Sequence, residues 1–109
     1  MESTLANNDI ESLAEHQYSL GSELTKSKRY SNHNNINHAI TAFAQAFWLY
    51  KKSSNNLMAN LCRTNISGLA IQYSLDRNLQ EMYLNAHRQV QNTMDVIEEV
   101  YNRLNELSK

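Results

Sequence analysis

With 109 residues, 41 % of them hydrophobic and 19 % charged, the chain is long enough for one packed core and too short for two. Two glycines and no proline leave too few turn-makers for an all-β sandwich or barrel, so the composition points to an all-α fold. A net charge of −1, one cysteine and no apolar run longer than Ala46–Tyr50 exclude an internal disulfide framework and a membrane span, and fit a soluble cytoplasmic protein. The first residues, Met1-Glu2-Ser3-Thr4, carry no secretory signal.

Residues 1–8 are expected to be disordered and residues 9–109 to form a single helical-bundle domain. The first helix is expected from about Asp9 to Arg29, with Ile10, Leu13, Ala14, Leu20, Gly21 and Leu24 near the 3.6 period. Asn8 and Glu11 have capping-box spacing at its start. Tyr30–Asn37 reads as a polar loop, because Ser and Asn side chains compete for backbone hydrogen bonds.

The second helix, about Ile36–Lys52, carries Ile36, Ala39, Ile40, Phe43, Ala46, Phe47 and Tyr50 on one stripe and Ala42, Trp48 and Leu49 off it. A helix apolar nearly all round is expected to be central, with neighbours on several sides. After a break at Ser53–Asn56, the third helix, about Leu57–Leu75, presents Met58, Leu61, Cys62, Ile66, Leu69, Ala70 and Tyr73. Around Asp76-Arg77-Asn78 the helix either ends or kinks, and Asn78 with Glu81 has capping-box spacing that favours a new start.

The last segment is the most regular. Leu79, Tyr83, Ala86, Val90, Thr93, Ile97, Val100, Leu104 and Leu107 are spaced alternately four and three apart, a heptad seam in which only Thr93 is polar. A rod of that length spans about 43 Å, against about 25 Å for the second helix. The excess carries Ile97, Val100, Leu104 and Leu107, and leaving such side chains in water forgoes roughly 1.5–3 kcal/mol each. A second copy or a partner helix is therefore expected to cover this seam. The monomeric alternative is a bend at Asn92-Thr93 that folds the end back on the bundle.

Charge is unevenly spread. Residues 1–25 hold five acids and no Lys or Arg, residues 26–77 hold seven bases against Asp76 alone, and residues 78–109 hold five acids and three bases. The acidic ends can neutralise the basic middle, or the middle can present a basic face to an acidic partner. Lys26, Lys28, Arg29 and Tyr30 cluster, but the overall balance disfavours nucleic acid.

The sequence offers no catalytic, cofactor or metal site. His16, His33, His38 and His87 lack ligand spacing, Gly21 and Gly68 stand alone, and Glu98-Glu99 diverge by about 100° on a helix. Cys62 falls on an apolar stripe, where an inert buried thiol is expected. Asn65-Ile66-Ser67 is a glycosylation sequon placed mid-helix and reads as coincidence.

Leu20-Gly21 with Leu24, then Ala39, Phe43 and Ala46, then Ile66, Leu69-Ala70 and Tyr73 resemble tetratricopeptide-type helical hairpins. Gly21 to Ala70 spans 49 positions rather than 34, so the likeness is to long-helix variants. Tyr18 and Ser22 stand where clamp-type members use Lys and Asn, which disfavours a C-terminal carboxylate as ligand. Lys28-Arg29-Tyr30, Ala39-Ile40, Phe43, Ala46, Gln72-Tyr73, Arg77 and Leu79 are also similar to a microtubule-interacting-and-trafficking (MIT) domain. Either resemblance covers about residues 10–78 and implies a non-catalytic bundle whose groove takes a helix or peptide of another protein.

The expected architecture is a single four-helix antiparallel bundle with a long C-terminal helix. The expected role is a protein–protein interaction module, an adaptor or chaperone, with Phe47, Trp48 and Tyr50 as anchors and Lys51, Lys52 and Arg63 as a basic rim. Trp48 packed by the last helix as ordinary core is the competing reading. The alternative role is a structural homo-oligomeriser pairing through the heptad helix.

Overall fold

The second helix organises the molecule. In the computed structural model, which describes residues 7–26 and 33–107, four helices run α1 (Asn7–Lys26), α2 (His33–Lys52), α3 (Asn56–Gln72) and α4 (Leu79–Leu107). A 3-10 turn over Asp76–Asn78 leads into α4. No strand occurs among the described residues. On α2 the whole stripe from Ile36 to Tyr50 is buried, and so are Ala42, Ala44 and Leu49 off it. α1, α3 and α4 each pack on α2, as a helix apolar nearly all round requires.

Two clusters make the core, and α2 is common to both. One joins Ile10 and Ala14 of α1, Phe47 and Tyr50 of α2, Ala59 and Cys62 of α3, and Val90 and Met94 of α4. The other sets Ile36, Ala39, Ile40 and Phe43 of α2 against Ile66 and Leu69 of α3 and Ala86 of α4. Leu20 and Leu61, expected on inward stripes, are instead exposed.

The helix starts correct the sequence reading in two places. α2 begins at His33, so four of the residues assigned to the Tyr30–Asn37 loop before Asn37 are helical, while residues 30–32 lie outside the described residues. Burial of Ile36 to 1 % exposure outweighs the weak helix propensity of its Asn neighbours. At the other start, α1 begins at Asn7, which places Asn7 and Asn8 in helix rather than in a disordered tail; the remainder of that expectation, residues 1–6, lies outside the described residues. Glu11 does not close a box with Asn8. Its carboxylate accepts from Asn55 Nδ2 at 3.2 Å and Ser53 Oγ at 3.5 Å, so it ties α1 to the α2–α3 corner.

That corner and the next are built alike. Asn55 N–H donates to Tyr50 O and Ser54 N–H to Lys51 O, with Ser54 at φ 63°. Leu75 N–H donates to Ala70 O and Ser74 N–H to Ile71 O, with Ser74 at φ 56°. Both are Schellman closures in which serine occupies the left-handed position that glycine usually takes. Asn55 then starts α3, its side chain accepting from Met58 N at 3.2 Å.

The two glycines lie in opposite surroundings. A Cβ on Gly21 would sit 3.0 Å from three atoms of the Phe43 ring, which is itself buried and edge-on to Tyr18 at 5.3 Å. A Cβ on Gly68 would meet nothing within 4 Å. Gly68→Ala should therefore raise unfolding free energy by about 0.8–1 kcal/mol, the helix-propensity difference, whereas Gly21→Ala should yield no such gain. Urea midpoints of the two variants check this, and equal gains would refute the tight approach of α1 to Phe43.

Candidate interaction surface

The six residues expected to form one binding groove do not form one surface. Phe47 and Tyr50 are core, 8 % and 2 % exposed, and correct the expectation that they anchor a partner. Trp48 is half-buried: Nε1–H donates to Tyr83 O at 2.9 Å, and its ring lies edge-on to Phe47 at 5.0 Å and to His87 at 4.5 Å. It is packed by α4, as the competing reading expected, but it is half-buried rather than ordinary core. Lys51 Nζ stands 6.0 Å above the Phe47 ring. Burial raises the Tyr83 phenol above its ordinary range, and the charge of Arg63 opposes that shift. Phe47, Trp48 and Arg63 thus lie near Tyr83, with Lys51 over Phe47. Tyr50 belongs to the α1 side, where burial and then the charge of Glu15 push its phenol up to about 12. Lys52 points to α4 and donates to Gln91 Oε1 at 3.3 Å.

An accessible apolar surface lies instead along α4. Its 29 residues run unbroken from Leu79 to Leu107, so the bend expected as an alternative at Asn92-Thr93 does not occur. The molecule measures 53 × 27 × 21 Å, drawn out along one axis. The residues of α4 that face the core are Leu79, Met82, Tyr83, Ala86, Val90, Met94 and Ile97. Thr93, the heptad position, is exposed, and Met94 takes its place.

The cause is where the core ends. Leu104 lies about five turns beyond buried Ala86 and faces the same way, yet no residue of α4 after Ile97 packs on the core clusters. Seam residues Val100, Leu104 and Leu107, with Val96 beside them, are 50 %, 54 %, 84 % and 59 % exposed. Ile97 is the exception in the expected oligomer seam, since it remains half-buried against the core.

Between this row and α1 runs a groove of about 540 Å³, lined by Asp9, Ser12 and Leu13 on one wall and Val96, Ile97, Val100, Tyr101 and Leu104 on the other. It continues into a recess beside His16, Gln17, Val90 and Thr93. Sequence reasoning missed Leu13, Val96 and Tyr101 as surface residues. The signal was present, because Val96 and Tyr101 flank the seam at the positions next to the heptad pair.

A second cleft, about 350 Å³ between α1 and α3, is mixed in character, with Ser22, Thr25, Thr64, Asn65 and Gln72 beside Phe43 and Leu69. Tyr18 OH accepts from Asn65 Nδ2 at 3.1 Å nearby. Cys62 is fully buried, and desolvation pushes its thiol up to about 12. Among the described residues no three His, Cys, Asp or Glu are grouped so as to hold a metal ion, and no helix is long and apolar enough to cross a membrane. No family model, curated protein or solved structure matches this chain.

Proposed function

We propose that the protein is a non-catalytic interaction module of the cytoplasm, and that it receives a helix of another protein in the groove between α1 and the C-terminal half of α4. The supporting observation is the row Val96, Val100, Leu104 and Leu107, exposed in one continuous line beside Leu13. Contiguous apolar surface of this kind marks an interaction site, and a row at helical spacing suits a helix laid along it. The close approach of Gly21 to Phe43 supports the tetratricopeptide-like reading of the α1–α2 hairpin. The alternative role, homo-oligomerisation, rests on the heptad register that Val100, Leu104 and Leu107 keep, which equally suits a second copy.

A photo-crosslinking residue placed at Val100 in the full chain, in its native cell, distinguishes these. Adducts of discrete mass with another protein are expected. The same residue at Ile71, which is 77 % exposed on α3, should give none. Adducts between two copies of this chain alone would favour the oligomeriser. Equal labelling at both positions, or none at Val100, would overturn the surface.

A further inference from the structure

We infer that the occupant of the α1–α4 groove is an amphipathic helix with an apolar face about three turns long and basic flanks, carried by a different protein rather than by a second copy of this chain. The inference rests on the interaction reading above and adds the chemistry of the partner.

The shape of the partner follows from the period of the exposed row. Val96, Val100, Leu104 and Leu107 advance by four, four and three residues, so one exposed apolar side chain recurs per turn. The row rises roughly 16 Å, about three turns, and a helix laid along it meets an apolar side chain at every turn.

The charge of the partner follows from the flanks. Asp9 stands on the α1 wall of the groove. Glu99 and Glu106 lie on the outer flank of the row, by the 100° step between successive helical residues. The one cation between Thr93 and Leu107, Arg103, is paired with Glu99 at 2.9 Å. Asp95 and Glu98 turn to the opposite flank, where they share a cleft with Lys52. A second copy would bring an acid-rich stretch against itself. A helix flanked by Lys or Arg meets opposite charge on both sides of its apolar face, which favours encounter and orientation.

Fluorescence anisotropy with the full chain tests this, using labelled 18-residue peptides that carry Leu at both heptad seam positions and either Lys or Glu beside them. The Lys-flanked peptide should bind at least tenfold more tightly than the Glu-flanked one, and added salt should shrink that preference. Val100→Asp with Leu104→Asp should abolish binding of both while the helical circular dichroism and melting midpoint stay at wild-type values. Glu99→Lys with Glu106→Lys should reverse the preference. Equal affinity for the two peptides, or a chain that sediments as a dimer dissociated by the Asp pair, would overturn the basic partner and leave the groove as an interaction surface. Undiminished binding of a Lys-flanked peptide whose Leu positions are Gln would show simple charge attraction and also overturn it. Failure of both peptides to bind a monomeric chain that forms no Val100 crosslink would remove the interaction reading as well.

Discussion

Phe47→Ala should lower the free energy of unfolding by about 3–5 kcal/mol, out of a total that for a domain of this size is typically 5–15 kcal/mol. Phe47 is 8 % exposed at the centre of the core cluster shared by all four helices, and it meets Trp48 at 5.0 Å and Tyr83 at 5.4 Å, both edge-on. Truncation removes the transfer free energy of the ring, leaves a cavity that α2 cannot collapse into from any side, and forfeits two aromatic pairs worth about 0.5–1.5 kcal/mol each. Val100→Ala should cost less than about 0.5 kcal/mol, because that side chain is half exposed beyond the core. Denaturant midpoints of the two variants make the comparison. A Phe47→Ala protein as stable as Val100→Ala would mean that Phe47 is not core, and would return it to the role of a surface anchor.

Raising the pH above 9 should destabilise the protein steeply, with Cys62 as the leading cause. Burial pushes its thiol from 9.0 up to about 12, and Tyr50 moves from 10.0 to about 12 in the same direction. Both groups are neutral when protonated, so the folded state holds their protons to higher pH than the unfolded state does. The stability they contribute is complete below pH 9, and it is lost progressively as pH rises towards 12. Cys62→Ala should flatten the first part of that decline at some cost in packing. The same shift predicts slow alkylation. At pH 8 the thiolate fraction in the folded chain is about a thousandfold below that of the unfolded chain, before any steric shielding is counted. Iodoacetamide labelling that proceeds at similar rates with and without urea would show that Cys62 is not buried as described.

The centrality of α2 was legible because its apolar residues leave no polar face to turn outward. The same fact misled the choice of anchors. Once a helix has neighbours on three sides, aromatics such as Phe47 and Tyr50 are consumed by packing, and composition alone does not reveal which direction stays open. Leu20 and Leu61 fit the inward period of their helices yet lie exposed, since a stripe is wider than the contact made by a single crossing helix. The start of α2 was misplaced because the Asn-rich stretch was weighed by propensity, while Ile36 and its burial decided the outcome. The surface on α4 was half legible. The heptad named Val100, Leu104 and Leu107, but the wall from Leu13 and Asp9 depends on where α1 lies, and no local pattern encodes that placement.

The point on α4 where core packing stops also divides one helix into two regimes of local stability. Up to Ile97 its backbone hydrogen bonds are backed by the core, and amide protons there exchange with solvent only when the bundle opens. From Tyr101 to Leu107 every residue is exposed, so these turns have little backing from the core and open at a lower free-energy cost. Deuterium uptake should therefore rise along α4 as a gradient rather than as a step between elements. A ligand that seats on the exposed row must first hold those turns in place. Part of its binding free energy is spent on ordering them, and the missing part reappears as slowed exchange at the C-terminal end, far from any change in the core.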